Sequence, residues 1–248
     1  MSTGPGIRKG MARAFLLLCL LIGTLALLSA QRAAASGGWW SGAWMQAGVR
    51  VVAVVVALLL WFKTQALIGA RRVEGGIGDA LHDCSASWNG WLHAHPATAN
   101  WILRISSGFI DVFGLFLLGA GLLGPTLRPF IALLFLFVFR QLCQALCALP
   151  APQGMIWRHP GFPSLLVTYG VAGDFFISGH TAIAVLGAIE MARLLPWWVA
   201  AIAGLVAAGE AVMVIVLRAH YTMDVLGAIV AAWCAADLAA RLCMLLGI

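Results

Sequence analysis

The chain has 248 residues, 62% of them hydrophobic and only 10% charged, with a mean hydropathy of +0.98. Soluble domains average about a quarter charged residues, so an ordinary soluble globule is excluded, and apolar runs that are continuous rather than alternating exclude a β-barrel. The net charge of +6 is dispersed along the chain, with no basic run carrying interleaved aromatics. This excludes a nucleic-acid partner and suits arginines placed beside anionic headgroups.

The composition predicts an all-α, polytopic membrane helix bundle of six core transmembrane helices plus a possible N-terminal one. Residues 1–40 read as a basic segment, with Arg8, Lys9 and Arg13, followed by an apolar run at 14–30 that is either a short helix or a signal-like segment. Residues 41–248 read as one transmembrane domain. Trp39, Trp40 and Trp44 form an interfacial belt ahead of a span near 47–68. Residues 69–100 read as a polar interfacial loop with Asp79, His82, His93 and His95. Spans follow near 101–123, with Asp111 inside, and 130–149, with Arg140 inside, separated by a turn bracketed by Pro125 and Pro129. A charge at the depth of Arg140 is a functional candidate by default. A loop at 150–172 leads to a helix ending near Leu195, a span from Trp198 to Leu217 and a last span from Val225 to Leu246. The six cysteines show neither zinc spacing nor a disulfide framework.

Two stretches at the ends of apolar runs carry the chemistry: Ser178-Gly179-His180-Thr181 and His220-Tyr221-Thr222-Met223-Asp224. The first opens a helix, whose free N–H groups and positive dipole end suit a phosphate. The second places a carboxylate four residues after a histidine, one turn away on a helix. The apolar hairpin between them returns His220 to the membrane face where His180 begins. Histidine serves as a nucleophile towards phosphorus and as a general acid or base near neutral pH. Asp224 is spaced to orient His220, and Arg140 and Arg218 are the arginines suited to bidentate phosphate binding. Two histidines and an aspartate could also form a facial metal site, but no HExxH motif accompanies them, and neither metal nor cofactor is expected. A transporter using Arg140, Asp111, Glu190 and Glu210 would show an internal repeat, and none is evident; Glu190 and Arg193 are spaced for a local helical pair.

These stretches resemble the two catalytic motifs of the sphingomyelin synthases and their relatives in the type 2 phosphatidic acid phosphatase superfamily. Gly173-Asp174 ahead of the first motif, and Arg140 with Leu149-Pro150-Ala151-Pro152, also match that group. The likeness to the plant phosphatidylcholine:diacylglycerol cholinephosphotransferases extends from about Trp61 to Leu242 and includes Arg218-x-His220-Tyr221-Thr222-x-Asp224. Phosphatases of the superfamily usually carry an arginine six residues before the second histidine, where this chain has Val214. The resemblance therefore implies a transferase that moves a phosphocholine-type headgroup from a phospholipid to diacylglycerol or a similar lipid alcohol, with a lipid phosphate phosphatase as the runner-up. It implies catalysis by His180, His220 and Asp224 through a phosphohistidine on His220, without metal. It also implies substrate or phosphate contacts by Arg140, Asp174, Ser178, Gly179, Thr181, Arg218 and Tyr221, with membrane lipids as the partners. Counting crossings from the basic N-terminus predicts a cytoplasm-facing site, whereas the sphingomyelin synthases work on the opposite face.

Overall fold

The structure, a computed structural model, describes residues 43–69, 77–161, 164–169 and 175–247. The apolar run at 14–30, on which the sidedness expectation rests, lies outside the described residues, as do Trp39, Trp40, Arg71, Arg72, Glu74 and Asp174. All described regular elements are helices: α1 (Ala43–Gly69), α2 (Ala80–Cys84), α3 (Ala86–Ala94), α4 (Pro96–Leu123), α5 (Arg128–Leu146), α6 (Gly179–Leu194), α7 (Trp197–Val216) and α8 (Thr222–Leu246).

Helix boundaries follow local chemistry. Proline stands in the first turn of α4 and of α5, where its missing N–H leaves no hydrogen bond unmade. Ser178 caps α6, its Oγ accepting from the Thr181 N–H at 3.3 Å. Gly247, at φ 65°, ends α8 in the left-handed conformation that glycine adopts without strain. Five described helices (α1, α4, α5, α7 and α8) are long and apolar enough to cross a membrane. The sixth expected crossing, α6, has 16 residues and rises about 24 Å, short of the roughly 20 residues a hydrocarbon core requires.

α6 is the centre of the bundle, packed against α4, α5, α7 and α8. Small residues permit this close approach. Ala228, Ala232, Ala236 and Ala239 of α8 are fully buried, and a Cβ on Gly187 of α6 would lie 2.4 Å from the Phe113 ring of α4. Large apolar side chains such as Leu205, Trp233 and Leu245 face outward, at 70–75% exposure, as lipid-facing residues do. At the end of α6 remote from the histidine, Glu190 is fully buried between Arg193 (2.7 Å) and Arg128 (3.0 Å). The expected local pair is present, and Arg128 extends it to tie α5 to α6.

The segment expected to be an interfacial loop at 69–100 is instead largely helical where described: α2, α3 and the first turn of α4. The reason is capping. Asp79 Oδ1 accepts from the N–H groups of Leu81 and His82, starting α2, and Pro96 starts α4. His82 and His93, read as loop residues, are thereby fixed on helices against the His220 and Gly154 carbonyls, while His95 stays between α3 and α4.

Candidate active site

The two chemical stretches meet around a short bent strap, Phe175 to Ser178. Three successive strap carbonyls accept side-chain donors: Phe175 from His220 Nδ1 (2.9 Å), Phe176 from Gln144 Nε2 (3.1 Å) and Ile177 from Arg140 Nε (2.9 Å). The Ser178 N–H donates to the Asp224 carbonyl at 3.1 Å. Ile177 adopts φ 64° to do this, and Arg218, two residues before His220, adopts φ 53°. A β-branched residue in that region is strained, and such strain persists only where surrounding contacts over-determine it.

The geometry settles how His220 and Asp224 meet. α8 begins at Thr222, so His220 precedes the helix and the two residues do not share a helical face as their spacing suggests. They approach because Asp224 closes a capping box, its Oδ2 accepting from the Tyr221 N–H at 3.0 Å, and this leaves His220 Nδ1 3.9 Å from the same oxygen. The close partner of Nδ1 is the Phe175 carbonyl. A carbonyl only accepts, so Nδ1 carries the proton and Nε2 carries the lone pair. The buried Asp224 carboxylate stands behind, able to stabilise a positively charged ring.

A pocket between α1, α4, α5 and α6 is walled by Gln65, Arg140, Gly179, His180 and His220, and by the apolar or aromatic Trp61, Ile110, Phe137, Trp157 and Ile183. His180 is buried, its Nε2 has no hydrogen-bond partner among the described residues, and its ring meets that of Trp157 in a T-shaped contact at a centroid distance of 5.0 Å. Arg140 lies against the opening turn of α6, where a Cβ on Gly179 would come within 3.5 Å of its guanidinium carbon. Gln65 Oε1 accepts from Arg140 Nη1 at 3.0 Å and from Gln141 Nε2 at 3.2 Å. An arginine, two histidines and a helix N-terminus thus converge on one small volume, an arrangement chemically suited to an anion.

Other candidate residues surround this pocket without lining it. Ser178 and Thr181 are fully buried in the cap of α6. Tyr221 donates its hydroxyl to the Pro150 carbonyl at 3.2 Å. Arg218 donates Nη1 to the Gln153 carbonyl (2.8 Å) and Nη2 to the His82 carbonyl (3.2 Å), so it ties the loop after α5 to α2 and does not line the pocket. The charges considered for a transporter also have local partners. Asp111 accepts from the N–H groups of Leu165 and Leu166, and Glu210 accepts from the Ser106 hydroxyl at 2.6 Å. No group of three or more potential metal ligands occurs among the described residues.

A protein-family model, AtPDCT1/2, matches residues 79–241, about two thirds of the chain. The chain belongs to the AtPDCT1/2 family, the phosphatidylcholine:diacylglycerol cholinephosphotransferases. Membership makes it a phosphotransferase of lipid substrates in a membrane setting. No curated protein and no solved structure matches it. The AtPDCT1/2 match begins at Asp79 and so leaves out α1, although Trp61 and Gln65 of α1 help to wall the pocket.

Several supporting residues went unread in the sequence. Besides starting α2, Asp79 accepts from the Thr222 N–H (2.5 Å) and hydroxyl (2.6 Å), which joins α2 to the start of α8. His82 Nε2 donates to the His220 carbonyl at 2.9 Å, and its ring stacks on Tyr221. Asn89 donates to the carbonyls of Gly154 and Val216. The available signal was polarity in apolar helices: Gln65, Gln141 and Gln144 are buried in otherwise hydrophobic segments.

Partial burial pushes the Asp79 carboxyl up, but the hydrogen bonds from Thr222 and His82 outweigh it and hold the group below its ordinary value. A depressed carboxylate contributes stability that is fully present above the ordinary range near about 4 and is lost as pH falls through the folded value. Asp79→Ala is expected to remove two caps and destabilise the protein by about 2–3 kcal/mol, with Asp79→Asn recovering part of the loss. Thermal unfolding in detergent at neutral pH measures this, and an unchanged midpoint for the alanine variant would rule out the joint role.

Proposed function

We propose that the protein is a multi-pass integral membrane enzyme in which α6 makes the sixth crossing and residues 41–248 act as one catalytic unit. It moves a phosphocholine-type headgroup from a phospholipid to diacylglycerol through a phosphohistidine, in the manner of the sphingomyelin synthases and their superfamily. The observation that carries the reading is the convergence of His180, His220 and Arg140 on one pocket at the N-terminus of α6.

In the first step His220 Nε2 attacks phosphorus. The bond from phosphorus to the glycerol oxygen breaks, and protonated His180 gives its proton to the departing oxygen, releasing diacylglycerol. In the second step neutral His180 takes the proton of the acceptor hydroxyl as its oxygen attacks phosphorus, and the N–P bond breaks. Each step returns the other's protonation state, so no external acid, base or metal is needed. The Phe175 carbonyl holds the His220 tautomer, Asp224 steadies the charged ring, and Arg140 with the α6 N-terminus neutralises the phosphoryl oxygens. Asp174, preceding the strap, is proposed to contact the headgroup. Ser178, Thr181, Tyr221 and Arg218 act by shaping the walls.

The test is incubation of purified protein in detergent with glycerol-labelled diacylglycerol and unlabelled phosphatidylcholine, with products resolved by mass. Labelled phosphatidylcholine, formed equally with and without EDTA, is the expected product. Release of free phosphocholine alone would convert the reading to a hydrolase, and loss with EDTA restored by zinc would overturn the metal-free mechanism.

A further inference from the structure

We propose that the apolar groove between α5 and α8 holds an acyl chain of the glycerolipid whose head enters the pocket, and that Gly227 and Ile177 set how that chain meets the site. The inference rests on the transfer reading above and adds a binding site on the far side of the strap.

The groove has about 1280 Å³ of space, and no charged residue is among the described residues that line it. Gly227, Ala231 and Ala235 of α8 fall one turn apart on one face and form its floor. Phe139 and Cys143 of α5 stand on the other side. From Met223 to Leu238, both in the lining, α8 rises about 22 Å. That exceeds half of a hydrocarbon core of about 30 Å, so a chain that starts at the head of α8 runs past the middle of the bilayer inside the groove. Both walls belong to helices long and apolar enough to cross a membrane.

The end of the groove identifies its occupant. Phe176 and Ile177 line it, while their carbonyls accept from Gln144 and Arg140. Their neighbours Phe175 and Gly179 line the pocket instead. The strap is therefore a thin wall between the reacting groups and the groove. Donor and acceptor in the transfer both carry a diacylglyceryl part, whose chains stay in hydrocarbon while its oxygen reaches His180. The groove between α3 and α7, around Trp88, Leu92 and Met213, has no strap residue in its lining, and the crevice between α1, α4 and α5 has only about 460 Å³.

Two residues connect chain and site. Ile177 keeps a β-branched side chain at φ 64°, where glycine is the unstrained choice, and such strain points to a side chain with a task. Gly227 leaves the space beside it open, since a Cβ there would meet only Ile177 Cγ1, at 3.8 Å. A chain in the groove presses on Ile177, whose carbonyl holds Arg140. Chain binding thereby bears on the phosphate-facing arginine and shows in kcat as well as KM.

The experiment reads binding and turnover separately. Full-length protein in detergent is irradiated with a diacylglycerol carrying a diazirine at the end of one acyl chain, with and without excess dioleoylglycerol. Label that the competitor removes is expected in the α5 and α8 segments that line the groove, and should be lost in Gly227→Leu. That variant fills the floor without a clash and replaces an interior glycine by a better helix former. If it does not fold, Cys234→Trp, at an exposed lining position, carries the same test. In transfer assays Gly227→Leu is expected to lose about tenfold in kcat/KM with dioleoyl phosphatidylcholine and little with the dihexanoyl donor, whose chains reach little past the strap; Gly227→Ala should resemble wild type. Equal losses on both donors, or no loss on either, would overturn the proposal. So would competed label at Leu58 and Leu134 or at Trp88 and Met213, or no competed label at all. A smaller particle mass for Gly227→Leu than for wild type would make the groove an interface between copies and overturn it too. Absence of transfer from both donors in wild type would defeat the transfer reading instead, and the competed label then decides the groove by itself.

Discussion

His220→Ala is expected to lower headgroup transfer by at least about 10⁴-fold, because removal of a covalent nucleophile abolishes the intermediate rather than weakening it. The structure makes the expectation atom-specific. Nδ1 is held at 2.9 Å from the Phe175 carbonyl, so Nε2 is the nitrogen from which the proposed attack would come. Brief incubation of wild type with donor labelled in its phosphate, followed by denaturation in base, should leave acid-labile label on His220 Nε2, identified by peptide mass. His180→Ala should still accumulate that label from a donor with a good leaving group, because His180 serves only the proton transfers, worth about 10²–10⁴-fold. Full activity in His220→Ala, or label trapped on His180, would defeat the assignment. His220 is 7% exposed and its backbone carbonyl is held by His82, so thermal unfolding must accompany the assay to separate lost chemistry from lost fold.

Arg140→Ala is expected to lower turnover by about 10³-fold, the scale seen when an arginine that stabilises phosphoryl charge is removed. The residue is 5% exposed in α5 and bonded to both the Ile177 carbonyl and Gln65. Arg140→Lys should recover little, since an ammonium cannot reach both partners and also face phosphate through a planar fork. Arg218→Ala serves as the comparison. Its guanidinium lies on the Gln153 and His82 carbonyls, so its loss should show mainly in thermal stability. Kinetics of the three variants with phosphatidylcholine and labelled diacylglycerol measure this. A larger catalytic loss from Arg218→Ala than from Arg140→Ala would reverse the roles given to the two arginines.

Much of the molecule was legible along the chain. Apolar runs of about 20 residues set off by Gly, Pro and polar turns identify spanning helices because a bilayer leaves backbone N–H groups no other partner. The opening of α6 at Ser178-Gly179 and the Glu190–Arg193 pair are local, depending on residues within one turn of one another. The two histidine stretches stood out for the same reason: residue type and spacing are written in order.

Tertiary structure decided what no local pattern encodes. The partner of His220 is a backbone carbonyl, Phe175, and every residue has one, so composition cannot mark which will be used. The diversion of Arg218 to the Gln153 and His82 carbonyls, and the support of Arg140 by Gln65 some 75 residues away, depend on which helices pack together. The segment read as a loop at 69–100 became helix where described because Asp79 finds donors in both α2 and the distant start of α8. Sequence thus determined which histidine, arginine and carboxylate groups are available and that the two histidine stretches sit at helix ends. Packing determined which of them share a pocket, since a hydrogen bond across the bundle forms only after the helices that carry its two halves have met.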